Sequence, residues 1–407
     1  MAKICVIRQG VYPYDARLTR EVKALLAAGH EVDLICLRFG DEPPRDERAE
    51  RLTVHRVPIR RRHGNKLRYL FEYGAFFVAA AILVTLLHLR RRFDVVQVNT
   101  MPDCLVFAAA VPRLLGARVL LDLHECMPEF FALKYSLPAT HPLLRLIAWC
   151  EQVSIRFAHA ALTCTEPMRE RFVERGAPPD RIGVVLNSFD DERFRARRHA
   201  SGRGDDGRFV LVCHGTIDHM YGIDLVLRAI AVLHDRIPGL ELQIYGDGPG
   251  RASAQALAEE LEVGDRVWFS GGWVPLDELL PRIADADAGV VAIRREGCFD
   301  LTHSNKMYDL IALRKPIVMS RTRAVEAYFD DQCFQLFDSG DEHDLARAIY
   351  ELYAHPELGR RNVARAARVG EPYRWVHQAK IYLALVERLV EARTTSRAIA
   401  SREAKRA

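Results

Sequence analysis

The chain has 407 residues, more than a single hydrophobic core usually holds, so its length predicts two domains. A hydrophobic content of 49% and a charged content of 28% exclude a disordered, a collagen-like and a polytopic membrane protein. The net charge of +4 excludes a dedicated nucleic-acid binder. The charge is unevenly distributed: residues 1–200 carry +8 (31 basic minus 23 acidic) and the remainder carries −4 (27 minus 31). The first half is therefore expected to prefer an anionic partner or surface.

Short apolar runs alternate with helix-length periodic segments throughout the first half. This alternation is typical of βαβ units, which stack into a parallel sheet. The predicted strands of this half are residues 4–8, 31–37, 53–58, 95–99, 119–123, 161–164 and 183–186.

The first predicted strand begins directly after Met1-Ala2-Lys3, without the apolar stretch and small-residue cleavage site of a signal peptide. The nine cysteines are scattered along the chain and include no C-x-x-C pair. This pattern indicates reduced thiols rather than a disulfide framework or a zinc site. We therefore expect a cytoplasmic protein.

Residues 70–89 read LFEYGAFFVAAAILVTLLHL and have the length of a membrane span. A crossing would place the predicted strands 53–58 and 95–99 on opposite sides of the bilayer, so a crossing is not expected. One interpretation is a helix buried against the sheet. The other is a helix that rests on an anionic membrane surface together with the arginines that flank it, from Arg60 to Arg92.

Residues 190–208 are polar and rich in glycine and arginine, which indicates an interdomain linker. A second series of strands follows, at 209–214, 241–245, 267–270, 289–293, 316–320 and 333–337, with helices at 223–234, 251–261, 306–313 and 344–353. Two similar doubly wound α/β domains are therefore expected to face a central cleft. Ligands of such sheets bind outside the carboxyl ends of the strands, so this cleft is the expected binding site.

Two glycine-containing turns close strands of the second domain: His214-Gly215-Thr216 and Tyr245-Gly246-Asp247-Gly248-Pro249. A glycine between a strand and a helix lets backbone N–H groups approach a phosphate, and the helix dipole favours its negative charge. The alternative is that both segments are simple tight turns.

The segment 299–309 is the richest in polar residues. Ser304 and Asn305 are natural helix caps, so the helix that begins near Lys306 presents free backbone donors and a cation at one end. Asp309 follows about one turn later. Donors and a lysine suit a diphosphate, and a nearby carboxylate suits ribose hydroxyls. The alternative is a capped surface helix with an ion pair between Lys306 and Asp309.

In the first domain, Asp122-Leu123-His124-Glu125 and then Glu129 follow a predicted strand. A histidine with two carboxylates can hold sugar hydroxyls or move protons, although a single histidine can equally be structural. Asp285-Ala286-Asp287 has the spacing of a metal-binding carboxylate pair, but it precedes an apolar strand without another hard ligand nearby. It is predicted to be a turn, and no metal site is expected.

Taken in order, these segments resemble the family 4 retaining glycosyltransferases of the two-domain GT-B fold, from about Lys3 to Glu391. The resemblance is carried by YPYDAR (12–17), AGHEV (28–32), NTMPD (99–103), DLHE (122–125), MPE (127–129), VLN (185–187), HGT (214–216), YGDGP (245–249) and NKMYD (305–309), which leads into ALRKP (312–316). Each segment is unspecific alone, but the ordered set is specific.

The resemblance implies two Rossmann-like domains that transfer a sugar from a nucleoside diphosphate sugar, with retention of configuration, to a lipid-linked, polysaccharide or small-molecule acceptor. It implies neither a metal nor another cofactor, because cationic side chains and helix ends neutralise the leaving diphosphate. The implied parts are an acceptor-side domain at 1–190, a linker at 191–208, a nucleotide-sugar domain at 209–372 and a helix at 373–393 that packs back on the first domain. The basic tail at 394–407 has no apolar period and is expected to be disordered.

The resemblance also assigns roles to individual residues. On the donor side it implies Gly215, Thr216, Gly246, Asp247, Asp300, Ser304, Asn305 and Asp309. On the acceptor side it implies Gly10, Asp15 and Arg17, on the loop after the first strand, together with Glu125 and Glu129. His124 is implied to lie close to the transferred sugar and Lys306 to contact the diphosphate, which makes these two the expected catalytic residues.

Two positions depart from the family pattern. The family has an arginine or lysine just before the glycine at 222, where this chain has Met220-Tyr221, and it has glutamate where this chain has Asp309. The residues that could supply the missing charge are His214, His219, Arg294, Arg295 and Lys306. The departures leave open two alternatives: a weak or silent nucleotide-sugar-binding partner subunit of the same fold, and another enzyme of that fold such as a nucleotide-sugar epimerase.

Overall fold

The computed structural model describes residues 1–39, 43, 45–59, 66–188, 194 and 207–404. The chain forms two compact units: the first contains Met1–Leu186 and His377–Ala407, and the second contains Asn187–Val376. The second unit is therefore inserted between two segments of the first. Most of the linker predicted at 191–208 lies outside the described residues.

The strands of the first unit form a single sheet. They are β1 (Lys3–Val11), β2 (Glu31–Leu37), β3 (Arg45–Ala49), β4 (Leu52–Val57), β5 (Val95–Asn99), β6 (Arg118–Leu123), β7 (Ala160–Thr163) and β8 (Ile182–Val184). Their order is β3-β4-β2-β1-β5-β6-β7-β8, and the neighbours are parallel except β3, which pairs antiparallel with β4. Strand β3 was not predicted, because its sequence RDERA is charged and has no apolar alternation.

Helices cover this sheet, which explains why its central strands are apolar along their length. The helices of the first part of the chain are α1 (Ala16–Ala27), α2 (Lys66–Arg91), α3 (Ala110–Leu114), α4 (Met127–Lys134), α5 (Pro142–Phe157) and α6 (Glu166–Glu174). Short 3₁₀ turns lie at Asp103–Ala109 and Pro179–Arg181. Every residue of β5 is buried, and the register pairs Ile4 with both Val32 and Val95.

Helix α2 contains the apolar stretch of the sequence. It is long and apolar enough to cross a membrane, with a mean hydropathy of 1.8 over Phe71–Arg91. The strands on either side of it, β4 and β5, belong to the same parallel sheet, so α2 is the crossover connection between them and not a span. One row of its side chains is buried in the unit: Glu72, Phe76, Ala80, Val84 and His88.

The second unit has a smaller sheet with all neighbours parallel. Its strands are β9 (Phe209–His214), β10 (Leu240–Tyr245), β11 (Val267–Phe269), β12 (Ala288–Val291), β13 (Ile317–Ser320) and β14 (Gln335–Phe337), in the order β11-β10-β9-β12-β13-β14. Its helices are α7 (Ile223–Leu233), α8 (Arg251–Glu260), α9 (Leu276–Asp285), α10 (Asn305–Ala312), α11 (Arg323–Tyr328), α12 (Glu342–Ala354) and α13 (Pro356–Val369). The helices cover the sheet in two hydrophobic clusters, as expected for a doubly wound fold.

The last helix, α14 (Trp375–Ala404), returns to the first unit. Its Tyr382 hydroxyl donates to Gln97 Oε1 at 2.6 Å, and Arg393 pairs with Asp94. The expectation of a disordered tail from residue 394 was wrong for the backbone, which stays helical through Ala404. Arginine, alanine and glutamate are good helix formers, and extending a helix costs much less than nucleating one.

Each sheet has one point at which the strand order reverses. In the first unit this point lies between β1 and β5, and in the second between β9 and β12. The carboxyl ends of strands at such a point leave a crevice in which ligands of doubly wound folds bind. The residues that follow these strands are therefore the first candidates for a functional site in each unit.

Candidate functional site

Three predicted acceptor-side residues lie where β1 ends and α1 begins. Gly10 lies near the end of β1, Asp15 is the N-cap of α1, and Arg17 lies in the first turn of α1. The sequence prediction that all three lie on a loop was wrong for Gly10 and Arg17, because β1 continues to Val11 and α1 begins at Ala16. Only Asp15 lies between the two elements.

Asp15 joins the helix start to the strand. Its carboxylate accepts a hydrogen bond from the Leu18 amide at 3.1 Å and another from Arg8 Nε at 2.9 Å. Burial alone would raise the pKa of Asp15, but the Arg8 guanidinium, the His124 ring and the Leu18 amide hold it below its usual value. The carboxylate is thus ionised and held in one position.

Asp122, at the end of β6, is the centre of a buried polar network. Its two oxygens accept two hydrogen bonds from the Arg17 guanidinium, from Nε at 2.9 Å and from Nη2 at 2.7 Å. Asn99 Nδ2 donates to it at 3.0 Å, and His124 Nε2 lies 2.8 Å away. Burial works against the charge, but Arg17 and His124 hold the pKa of Asp122 far below its usual value.

His124 is oriented from two sides. Its backbone amide donates to Thr100 Oγ1 at 3.1 Å, and its Nε2 faces the Asp122 carboxylate. Burial and the nearby arginines Arg8 and Arg17 lower the pKa of His124 despite the Asp122 charge, so the ring is neutral at pH 7. An ionised carboxylate can only accept, so Nε2 carries the proton and Nδ1 is left as an acceptor. Nδ1 can therefore receive a hydrogen bond from a hydroxyl group.

A second buried acid, Glu21 of α1, lies behind Asp122. Its Oε2 accepts hydrogen bonds from Gln97 Nε2 and Asn99 Nδ2, both at 2.8 Å. Burial and the neighbouring Asp122 charge raise the pKa of Glu21 well above its usual value. Glu21 Oε1 also lies 3.1 Å from Arg17 Nε, so Arg17 contacts two buried carboxyl groups. Asp122 keeps its charge, whereas Glu21 holds its proton to a higher pH than an ordinary glutamate.

Glu21→Gln is expected to remove part of the pH dependence of stability. Glu21 keeps its proton to a higher pH in the folded chain than in the unfolded chain. The stabilising contribution of this group is therefore fully present below the pKa of the unfolded chain. The free energy of unfolding then decreases as pH rises towards the pKa of the folded chain, by up to about 1.4 kcal/mol per pH unit. Glutamine imitates the protonated acid and has no such fall. Urea unfolding between about pH 5 and about pH 8 measures the difference. Glu241→Gln, on an exposed pair, is the control, and parallel curves for Glu21→Gln and wild type would contradict the assignment.

The two remaining predicted acceptor-side residues are placed differently. Glu125 directly follows His124 and is partly exposed. Glu129 lies on α4, where Arg175 Nη1 donates to it at 2.7 Å and Arg171 Nε lies at 3.2 Å. Arg175 also holds the buried Glu151, so Glu129 belongs to a charge cluster separate from the Asp122 network. Its contact with an acceptor stays a prediction.

In the second unit, the two predicted glycine turns touch each other. Gly215 has φ 97° and Gly246 has φ 146°, which glycine adopts without strain. A Cβ atom on Gly246 would lie 1.9 Å from the Gly215 carbonyl oxygen, and a Cβ atom on Gly215 would lie 2.7 Å from Lys306 Cε. The glycines therefore allow the two turns and the lysine to pack together at the carboxyl ends of β9 and β10. Thr216 and Asp247 are exposed beside them.

Lys306 lies in the first turn of α10, at the end that presents free backbone N–H groups. Ser304 is the N-cap, and its hydroxyl accepts from the Lys306 amide at 3.3 Å. The Lys306 ammonium lies 3.9 Å from the centre of the Tyr221 ring, which is a cation–π contact. Burial lowers the pKa of Lys306 to about 8. The arrangement combines a partly desolvated cation with a helix N-terminus, which suits an anionic group.

The other predicted donor-side residues flank this lysine. The Asp309 carboxylate lies 3.1 Å from His214 Nε2, at the end of β9. Asp309 therefore contacts His214 and does not form the ion pair with Lys306 that was considered above. Asn305, next to Lys306, is exposed. Asp300 accepts from the Arg323 amide at 2.8 Å and pairs with Arg295 at 3.0 Å, which orders the chain before α10.

Arg294 approaches the turn that lacks the family's cation. Its Nε donates to the His219 carbonyl at 3.2 Å, and its guanidinium pairs with Asp224. Of the five residues considered as compensation, His219 lies in the turn at 219–222 itself, and Lys306 and Arg294 reach this turn from other elements. His214 instead contacts Asp309, and Arg295 pairs with Asp300. Lys306 and Arg294 are thus the two cations from other elements that contact this turn in the described part of the chain.

Two family models match the chain in succession. Residues 14–188 match "Glycosyl transferase 4-like domain", and residues 208–355 match "Glycosyl transferases group 1". The chain belongs to family 4 of the glycosyltransferases. A curated relative of this family 4 chain, from Mycolicibacterium smegmatis, is described as a GDP-mannose-dependent alpha-(1-6)-phosphatidylinositol monomannoside mannosyltransferase. It is 30% identical over 212 residues, which are 50% of this chain and 53% of the relative. The chain spans about half the length of the first curated relatives it matches.

Solved structures resemble the family 4 chain over most of its length. Sucrose-phosphate synthase from Thermosynechococcus elongatus has a TM-score of 0.77 and covers 96% of this chain and 100% of its own, at 18% identity. HepE of Anabaena, in complex with UDP and glucose, has a TM-score of 0.69 with coverages of 96% and 100%, at 16% identity. At such identities the likeness shows the fold. The predicted GT-B class, with two doubly wound parallel-sheet domains, is confirmed.

The sequence prediction missed several residues of the Asp122 network. Asp122 and Asn99 were noted only as parts of their motifs, and Glu21, Gln97 and Tyr382 were not singled out at all. A signal was present in the strands: Gln97 and Asn99 interrupt the apolar run VVQVN of β5, and Asp122 interrupts VLLDL of β6. Polar side chains at buried strand positions must find partners, so they indicate a network even when the partners are unknown.

Proposed function

We propose that the protein transfers a sugar from a nucleoside diphosphate sugar to an acceptor hydroxyl with retention of the anomeric configuration. The observation that carries this proposal is the position of Lys306: its ammonium lies against Gly215, at the N-terminus of α10 and at the carboxyl end of β9. A diphosphate bound there would meet a cation and free backbone donors together. The family supports the same reaction class.

The proposed donor is a GDP-sugar or a UDP-sugar. The relative from Mycolicibacterium smegmatis is described as GDP-mannose-dependent, and HepE of Anabaena was solved with UDP and glucose. Gly215, Thr216, Gly246 and Ser304 are proposed to line the diphosphate together with Lys306. Asn305, Asp300 and Asp247 are proposed to flank it, and Asp309 is proposed to bind the ribose.

The proposed reaction needs no metal, because Lys306 and the amides of α10 would neutralise the leaving diphosphate. The acceptor oxygen forms a bond to the anomeric carbon while the bond from that carbon to the diphosphate oxygen breaks, and the acceptor proton passes to the leaving phosphate. In the first unit, neutral His124 offers Nδ1 to a sugar hydroxyl, and Asp122 fixes the ring that does so. Gly10, Asp15, Arg17 and Glu125 are proposed to shape the acceptor side.

The proposed acceptor is a lipid-linked or polysaccharide glycan at the cytoplasmic face of a membrane. The sequence favours an anionic surface near the segment from Arg60 to Arg92. Arg60, Arg61 and Arg62 lie outside the described residues, and Arg90 at the other end of α2 is exposed. A peripheral enzyme of polysaccharide biosynthesis fits these features.

A thermal-shift screen with GDP-, UDP- and ADP-sugars followed by a transfer assay with the stabilising donor tests the proposal. We expect stabilisation by one nucleotide class, transfer that survives a chelator, and a product whose anomeric configuration by NMR equals that of the donor. The relatives are described as transferases, which favours an active enzyme over the silent subunit. Stabilisation by a nucleoside diphosphate without transfer or donor hydrolysis would instead reveal the silent subunit. Conversion of the donor in the absence of acceptor would reveal an epimerase.

Asp309→Ala is expected to weaken nucleoside diphosphate binding roughly 10- to 100-fold, because a hydrogen bond to a charged group is lost. Calorimetry with the stabilising nucleotide measures this directly. Asp235→Ala removes the same charge at a fully exposed position of the same unit and should bind like wild type. Unchanged nucleotide affinity of Asp309→Ala would show that Asp309 does not bind the ribose, and it would leave the proposals for Lys306 unaffected.

A further inference from the structure

The outer face of α2 is apolar and exposed, although α2 belongs to a packed α/β unit. While one row of its side chains is buried, the opposite row points to solvent and contains large hydrophobic residues: Phe71, Val78, Ile82, Leu86 and Leu89. Phe71 is 75% exposed and Leu89 58%. A crossover helix of a doubly wound fold normally carries polar residues on this side. The sequence of α2 therefore indicates that its outer face meets something apolar.

The apolar surface continues over α3 and α5. Phe107, just before α3, packs against Phe157 of α5 with ring centres 5.0 Å apart, and Arg113 of α3 lies 4.8 Å above the same ring. Helix α3 and the turn before it also contact α2, so the three helices form one layer on the sheet. The exposed hydrophobic residues of α3, of Leu115 directly after it and of α5 are Val111, Leu114, Leu115, Leu143, Leu146 and Trp149.

These three helices and the adjoining Leu115 carry eleven of the nineteen large hydrophobic residues that are exposed in the described part of the chain. Leu114 is 81% exposed and Trp149 64%. Scattered exposed hydrophobic residues are normal, but a concentration on one face marks a surface that binds a partner or a membrane. We call the eleven residues on α2, on α3 with the adjoining Leu115, and on α5 the apolar face.

The charges around the apolar face have one sign. Exposed arginines lie on or next to the three helices, at Arg90, Arg92, Arg145 and Arg156. The three helices contain two described acids, Glu72 and Glu151; both are buried and face arginine partners within the unit. The face therefore presents hydrophobic side chains and positive charge without exposed carboxylates on its helices.

We propose that the apolar face docks on an anionic phospholipid bilayer, with its hydrophobic side chains at the level of the acyl chain boundary and its arginines at the lipid headgroups. This inference rests on the proposed function, because a lipid-linked acceptor would be presented at such a surface. Apolar area together with arginines is the combination that holds peripheral proteins at acidic membranes. A second copy of the chain fits less well, since a two-fold contact through the same face would bring arginines together without acids to pair them.

Flotation with phosphatidylglycerol–phosphatidylcholine vesicles tests the docking surface. We expect the full chain to float with these vesicles at low salt, to be released by high salt, and to remain unbound with pure phosphatidylcholine. The double variant Arg90→Glu, Arg145→Glu should lower the partition coefficient about thirtyfold or more, as the loss of two surface arginines predicts. Ile82→Glu with Leu86→Glu should abolish flotation. All four positions are exposed, so folding should be preserved, and circular dichroism checks this.

Trp273→Glu, an equally exposed hydrophobic position in the second unit, is the matched control and should float like wild type. Binding of the nucleoside diphosphate, measured by calorimetry without vesicles, should be unchanged in every variant. Wild type that binds the nucleotide but does not float would overturn the docking surface and leave the proposed function standing. Wild type that floats through this face but binds no nucleotide would support the surface and contradict the donor site.

Analytical ultracentrifugation without vesicles separates the bilayer from a second copy. We expect a single sedimenting species that is the same in wild type and in Ile82→Glu, Leu86→Glu. A wild-type dimer that this variant dissociates would overturn the bilayer proposal in favour of self-association. The fluorescence of Trp149 provides an independent readout: a blue shift on adding acidic vesicles, lost in Trp149→Phe, places the face in the interface, and an unchanged spectrum would contradict it.

Discussion

Lys306→Met is expected to lower kcat/KM for the donor about 100- to 1000-fold, the effect of removing one preorganised group that stabilises developing charge. The lysine is the cation that packs on the Gly215 turn, and methionine keeps most of its volume without its charge. The cation matters more in this chain than in a relative with an arginine or lysine before Gly222, because Tyr221 stands there and contributes a ring face to the ammonium instead. Steady-state kinetics with the preferred donor measures the loss.

The pH profile distinguishes this role from a structural one. Burial lowers the pKa of Lys306 to about 8, so in the free enzyme the ammonium loses its proton as pH rises through about 8, and kcat/KM should fall there. Lys306→Met should lack this alkaline limb. Arg228→Met, which removes an exposed positive charge from α7 of the same unit, should keep both the rate and the profile. Near-normal turnover of Lys306→Met would mean that the diphosphate binds elsewhere.

Asp122→Ala is expected to destabilise the protein by about 3–5 kcal/mol, because it removes the carboxylate that accepts two hydrogen bonds from the buried Arg17 guanidinium. It also removes the acceptor that holds His124 in one tautomer, so the remaining folded protein should lose activity as well. Denaturant unfolding gives the stability change, and transfer rates below the unfolding transition give the change in activity.

The chain offers a matched control for this variant. Arg208 and Glu241 form the same two-pronged contact as Arg17 and Asp122, but on an exposed part of the second unit. Glu241→Ala should cost no more than about 1 kcal/mol, since solvent screens an exposed pair. Equal losses in the two variants would show that Arg17 finds another partner and that the network is not the stabilising element described above.

Most of the fold could be predicted because its strands are buried on both faces. Runs such as EVDLICL and VVQVN are short, apolar and separated by periodic helices, and the structure has a strand at each of the thirteen predicted places. Strand β3 lacks such a run and was missed. The tail after residue 394 was misjudged for a related reason: it has no apolar period, but a helix already formed by α14 can continue through residues of high propensity.

The site could be predicted only where one short segment contains the chemistry. Ser304, Lys306 and Asp309 lie within six residues, so their common position at a helix start is visible in the sequence. The Asp122 network is different. Arg17 reaches Asp122 across 105 positions, and Tyr382 reaches Gln97 across 285. Such pairings depend on strand order and on the return of the last helix, neither of which local patterns reveal.

The return of α14 determines how this polypeptide can be divided. A fragment that stops at Leu186 would lack Tyr382 and Arg393, so Gln97 and Asp94 would lose the partners that the last helix brings to the first sheet. Residues 187–376, in contrast, form one uninterrupted length of chain with their own sheet. The second unit can therefore be produced by simple truncation, whereas the first unit needs its two separated segments joined by a short peptide linker.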